Sequence, residues 1–272
     1  MSILVVTLSI IAVGLYLTSG GLLAARLSKG GGSAATLDSP KATPLTLGLV
    51  AVVLHGIVLY SLLITDDGLN LGFYNAVSLL LWFIALLLLL VSLKNPVENI
   101  GIALLPLAAV ALLLEAFLSS DHVVGTDMGL GLHILTSLLA YAVLTLAAVQ
   151  AILVAVQHKH LRNRHPGGFI RSLPPLETME SLLFQMITVG LVLMSVSLVS
   201  GFITLEDMFA QHQVHKTVFS IIAWCVFATL IYGRRQFGWR GQIALRWILI
   251  GFGALLLAYI GSKLVYEILL GR

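Results

Sequence analysis

The sequence predicts an all-α fold, a bundle of eight transmembrane helices, and three observations carry that prediction. Of the 272 residues, 59% are hydrophobic and 10% are charged, where globular chains average roughly 45–50% and about 25%. Mean hydropathy is +1.04. Apolar runs near the ~20 residues needed to cross a hydrocarbon core recur along the whole length, and the run from Ala85 to Leu93 holds one polar residue, Ser92. So few charges could not cover the surface of a soluble domain of this size. That excludes a soluble enzyme, a secreted disulfide scaffold and a nucleic-acid module. The single cysteine, Cys225, permits no internal disulfide and no cysteine-based metal cage.

The first helix, over 3–25, has no basic residue before Ile3, and Arg26 and Lys29 follow its apolar run. It reads as an uncleaved anchor rather than a signal peptide. A flexible stretch with Gly30-Gly31-Gly32-Ser33 and Pro40 leads to the second helix, 44–64, which carries His55 near its middle. The third, 71–93, is the leucine-rich run, and the fourth, 100–118, holds Glu115 one turn inside its outer end. His133 opens the fifth, 131–157. A basic loop with Pro166-Gly167-Gly168 and Pro174-Pro175 precedes the sixth, 180–203. His215 stands just before the seventh, 217–233, and the eighth covers 243–264. No soluble domain is expected; residues 1–272 read as a single transmembrane domain.

Lys and Arg are sorted by loop. Loops 1, 3, 5 and 7 hold eleven of them, among them Arg26, Lys94, Arg164 and Arg234. The other side holds Lys216, Lys263 and Arg272. By the positive-inside rule the odd loops face the cytoplasm and both termini are periplasmic. The net charge of +3 is therefore no nucleic-acid signature. The basic loop 5, with His158, His160 and His165, reads as a contact with anionic lipid and a topology signal.

The outer loops have the opposite character, with Asp66, Asp67, Asp121, Asp127, Glu206 and Asp207 beside His122 and His212. His133 and His215 start the fifth and seventh spans at the same boundary, within reach of each other if those two helices are neighbours. Two imidazoles so placed can sandwich a haem iron, each through one ring nitrogen. His55 lies nine residues, or ~13 Å, below the outer boundary at 1.5 Å per residue, a depth at which an ionisable side chain is a functional candidate. Mixed imidazole and carboxylate ligands in the outer loops also suit a divalent cation. No nucleophile motif, P-loop or dinucleotide fingerprint is present.

Three stretches resemble the cytochrome c assembly family, haem-handling membrane proteins of the CcsA and CcmC kind. Leu173-Pro174-Pro175-Leu176-Glu177-Thr178 with Leu182, before a helix closing at Ser200-Gly201, resembles the family's "LP-x-LE-T-x-x-x-L" helix ending in "SG". Gly131-Leu132-His133 with Ser137 and Ala140-Tyr141-Ala142 resembles the helix whose leading histidine is an outward haem ligand. Gly238-Trp239-Arg240-Gly241 is similar to the "GWRG" turn before the last helix. The resemblance covers about residues 70–265 and is strongest to the HemX/YpjD-like branch. The family's tryptophan-rich segment ending in "WDPKETW" has no counterpart. The stretch from Leu205 to Thr217 contains no tryptophan, so a flat stacking surface for the porphyrin is missing.

Three functional expectations follow from residues and resemblance together. The first is a non-catalytic protein of the bacterial cytoplasmic (inner) membrane, without haem-lyase activity, that binds or handles haem b at the periplasmic face through His133, His215 and His55. The second is an accessory subunit that stabilises a partner membrane protein, such as a CorB/CNNM-type divalent-cation transporter, without haem. The third is a divalent-cation site in the acidic outer loops.

Overall fold

The computed structural model describes residues 3–29, 41–66, 68–118, 122–125, 128–163, 173–204 and 214–261. Among the described residues are eight helices long and apolar enough to cross a membrane. They are α1 (Ile3–Lys29), α2 (Ala42–Leu63), α3 (Phe73–Lys94), α4 (Gly101–Phe117), α5 (Met128–Arg162), α6 (Leu176–Thr204), α7 (Val214–Phe237) and α8 (Gly241–Leu256). A 3-10 turn (Glu98–Ile100) leads into α4, and a π turn (Leu257–Gly261) follows α8. The all-α polytopic fold predicted from composition is the observed one. Two of its helices, α5 and α7, outlast their apolar runs. α5 ends at Arg162 rather than residue 157 and α7 at Phe237 rather than residue 233, with Lys159, Arg162, Arg234 and Arg235 in their last turns. Backbone hydrogen bonding does not stop where hydrocarbon does, and cations at a helix C-terminus complement its dipole.

Three short strands stand where the sequence reads only as loop. β1 (Ile64–Thr65), β2 (Gly68–Asn70) and β3 (Val123–Val124) form an antiparallel sheet in that order. The Asn70 side chain accepts from the backbone N–H of Gly72 at 3.2 Å and of His122 at 3.0 Å. The sheet thus ties the α2–α3 connection to the chain leaving α4. Strands of two and three residues leave no alternating pattern to find.

The chain divides into two compact units, Met1–Val124 with Lys159–Pro175, and Gly125–His158 with Leu176–Arg272. In the first, α1 packs on α2, α2 on α3, α3 on α4 and α4 back on α1, closing a ring of four helices. Lipid is as apolar as leucine, so close approach of small residues and interhelical hydrogen bonds hold such a ring. A Cβ on Gly48 would stand 3.0 Å from Leu89 and 3.1 Å from Ser19 Oγ, and Gly20 faces the Pro106 ring. Ser19 Oγ donates to the Pro44 carbonyl at 2.7 Å.

In the second unit, Gly190 of α6 admits Leu144 of α5, and Gly251 of α8 admits the Phe227 ring of α7. Trp224 Nε1 of α7 donates to Ser195 Oγ of α6 at 2.8 Å. The α7–α8 turn needs glycine twice, at Gly238 (φ 65°) and Gly241 (φ 56°), the left-handed region that side chains avoid. Between them Trp239 folds back onto Gly233, and its ring stacks on Trp247 at 5.5 Å. A methyl group at residue 233 would overlap that ring. Gly233→Ala is therefore expected to cost about 1–3 kcal/mol, the usual penalty of overpacking, in denaturant unfolding of the detergent-solubilised protein. Unchanged stability would mean that the ring is free to move aside.

Candidate functional site

His133 lies in the second turn of α5, half-buried against the C-terminal end of α6. Its Nδ1 is 2.9 Å from the Ser197 carbonyl oxygen. A carbonyl only accepts, so the hydrogen sits on Nδ1 and the Nε2 of the neutral ring carries the lone pair. Metal-ligating histidines are oriented in this way by a backbone carbonyl or carboxylate behind them. The carbonyl is shared, because Ser200 Oγ donates to it at 3.0 Å. Ser137 Oγ donates to the His133 carbonyl at 2.6 Å and lies 2.6 Å from Ser197 Oγ. The serines of the α6 end and of the α5 start thus fix one rotamer and one tautomer of His133.

The intended companion, His215, falls in the first turn of α7, and its side chain lies outside the described residues, as does the whole stretch 205–213 with Glu206, Asp207 and His212. α5 and α7 approach each other at Tyr141, whose side chain lies beside Ser220 of α7. Tyr141 also donates to the Leu255 carbonyl at 3.3 Å. Among the described residues no three His, Cys, Asp or Glu side chains converge on a metal position. Asp121, a further member of the proposed outer cation site, is also outside the described residues, and His122 is exposed.

The three family-like stretches meet in pairs at the two ends of α6. At its C-terminal end Ser197 and Ser200 hold His133. Near its start Glu180 pairs with Arg240 of the α7–α8 turn at 3.4 Å. The Arg240 side chain is 60% exposed, so the ion pair fixes geometry more than it stabilises. Arg234 lies over the Phe184 ring, 4.5 Å from its centroid. Arg234, Arg240 and Phe184 line a groove of about 630 Å³ together with Arg235, Glu177 and Thr188.

The first unit holds a separate polar cluster that unites His55 and Glu115, which the sequence left apart. His55 Nδ1 is 3.2 Å from Tyr16 Oη and its Nε2 is 2.9 Å from Ser78 Oγ. Glu115 Oε2 lies 4.0 Å from His55 Nε2. His55 stands eight residues before the end of α2, whereas Glu115 stands two before the end of α4. The two are nevertheless level, because α2 runs beyond the end of α4 into the β1–β2 hairpin. Both ring nitrogens of His55 face hydroxyl groups. Tyr16 and Ser78 were not singled out beforehand; a tyrosine and a serine in apolar helices carry no signal of their partner.

The family model described as "Cytochrome C assembly protein" matches residues 45–270. The "Inner membrane protein YpjD" of Escherichia coli (strain K12) is similar at 31% identity over 229 residues, which cover 81% of this chain and 85% of that protein. The "Cytochrome c biogenesis protein CcsA" of Synechococcus sp. (strain CC9605) is similar at 23% identity over 223 residues, 71% of this chain and 73% of that protein. No solved structure matches.

Proposed function

Because the chain belongs to the cytochrome c assembly protein family, we propose that it is a multi-pass protein of the bacterial inner membrane that holds haem b without catalysing its attachment. His133 and His215 would hold the haem iron. The observation that carries this reading is the hydrogen bond from His133 Nδ1 to the Ser197 carbonyl, which leaves Nε2 as a donor to iron. A bound haem would supply a redox-active iron at the outer end of α5. The chain's own part is to present Nε2, to hold the ring through the Ser197 carbonyl, and to surround the porphyrin with aliphatic side chains. The tryptophan-free stretch 205–217 supports binding without transfer, since presenting haem to a second protein calls for an exposed stacking platform.

The absorption spectrum of protein purified after haem-replete expression tests this. A Soret band with sharp reduced α and β bands is expected. A colourless protein would overturn it and favour a role in stabilising a partner membrane protein.

The site must also face the periplasm. The outward reading rests on the basic ends of the spans, such as Arg234, Arg235 and Arg240 beside the start of α6. In a Cys225→Ser background, a cysteine introduced at Ser120 is expected to react with an impermeant thiol reagent in intact cells, while one at Ser33 stays protected. The reverse pattern would put His133 on the cytoplasmic side.

A further inference from the structure

Each helix of the first unit sends one polar side chain to a single point: Tyr16 from α1, His55 from α2, Ser78 from α3 and Glu115 from α4. The first three are fully buried and Glu115 is 5% exposed. Gly56, next to His55, lets the Trp82 indole approach to 3.3 Å of a Cβ position, and Trp82 Nε1 donates to the Val52 carbonyl at 2.8 Å, so the flank of the cluster is sealed by an aromatic ring. Ser78 faces the Glu115 carboxyl, but the contact falls short of a hydrogen bond. Neither Glu115 carboxylate oxygen has a hydrogen-bonding partner. The titratable groups facing Glu115 are His55 and, behind it, Tyr16; α3 contributes only Ser78.

Counting donors gives the chain a direction. Among the described residues the Tyr16 hydroxyl has one acceptor, His55 Nδ1, so it donates there. A neutral imidazole then carries its hydrogen on Nε2 and donates to Ser78 Oγ. The Ser78 hydrogen is left with the Glu115 carboxyl as the acceptor it faces. The opposite direction would strand the tyrosine hydrogen, which a buried hydroxyl avoids. Every donor therefore runs toward Glu115, and the series ends on a carboxyl group neither of whose oxygens has a hydrogen-bonding partner.

The geometry points to a proton-binding site inside the first unit, with Glu115 as the group that takes up and releases the proton and Tyr16–His55–Ser78 as the relay that stabilises its charged form. A proton binds at an unpartnered carboxyl oxygen of Glu115, and an O–H bond forms there with no other bond broken. When it leaves, the relay tightens onto Oε2, and the negative charge is spread along aligned donors instead of standing bare in an apolar bundle. His55 keeps one hydrogen throughout. The site sits level with the end of α4, one turn from the segment that β3 joins to the outer sheet. This inference is independent of haem, which the second unit would hold.

Difference infrared spectroscopy of the purified full-length protein, stepped through pH in H₂O and D₂O, reads the site directly. One buried carboxylic-acid carbonyl band that titrates reversibly is expected. Glu115→Gln should remove it, and Glu115→Asp, kept in case the amide variant misfolds, should move its frequency. Tyr16→Phe weakens the relay, so the band should persist to a pH at least one unit higher. Absence of the band in the wild-type protein would overturn the proposal. So would a band that survives Glu115→Gln unchanged, or a midpoint that follows the exchange of sodium for choline, which would make the ligand an alkali cation.

Discussion

Replacing His133 with alanine is expected to abolish the six-coordinate haem spectrum and leave a five-coordinate iron. The loss should exceed the 10–100-fold in affinity that follows removal of an outer hydrogen-bonding partner, because the donor atom itself is gone. His215→Ala should do the same, and the double variant should be no worse than either single one, since each removes half of one coordination pair. The fold should barely respond. The Ser197 carbonyl keeps its bond from Ser200, so deletion of the imidazole leaves no buried acceptor unpaired, and a stability loss of about 1 kcal/mol is expected. Ser137→Ala is the control: it removes the contact to Ser197 Oγ but leaves the Nδ1 bond, and the spectrum should survive. Loss of colour in Ser137→Ala to the same extent as in His133→Ala would mean that packing at the α5–α6 junction, rather than iron ligation, governs the spectrum.

That contrast reflects what the sequence can and cannot disclose. Eight spans were legible because each helix must bring its own ~20 apolar residues to the hydrocarbon, whatever its neighbours do. The extent of α5 and α7 beyond those residues was not, because polar interface tolerates helix and loop alike. His133 was legible through its position at a helix start within a family-like stretch. The carbonyl that orients it was not, since any residue supplies a carbonyl and only the packing of α6 selects Ser197.

The cluster in the first unit is hidden for a different reason. In a soluble helix the apolar stripe marks the inward face, but α1 to α4 are apolar all round, and the lipid-facing side is as hydrophobic as the core. Which way Tyr16 or Ser78 turns cannot be read from such a pattern. His55 and Glu115 stood out only as ionisable residues in an apolar run. That the two meet was not legible, because they stand at different distances from the ends of α2 at Leu63 and α4 at Phe117.

His55→Leu is expected to be the most destabilising single substitution in that unit, by about 2–4 kcal/mol, measured as a shift in denaturant unfolding of the detergent-solubilised protein. Leucine fills much of the imidazole volume, so the loss comes from stranded hydrogen bonds rather than from a cavity. Tyr16 Oη keeps its hydrogen without an acceptor, a cost of roughly 1–3 kcal/mol for a buried polar group. Ser78 loses its incoming donor but suffers less, since a helical serine can return its hydrogen to the carbonyl one turn back. Tyr16→Phe alone strands His55 Nδ1 and should cost about 1–2 kcal/mol. The combination Tyr16→Phe with His55→Leu removes donor and acceptor together and leaves an apolar contact in their place. It should therefore be no less stable than His55→Leu alone, with a coupling energy of at least about 1 kcal/mol. Effects that simply add to within the ~0.3–0.5 kcal/mol seen for independent sites would show that the 3.2 Å contact between Tyr16 and His55 carries no energy, and the donor series ending on Glu115 would lose its first link.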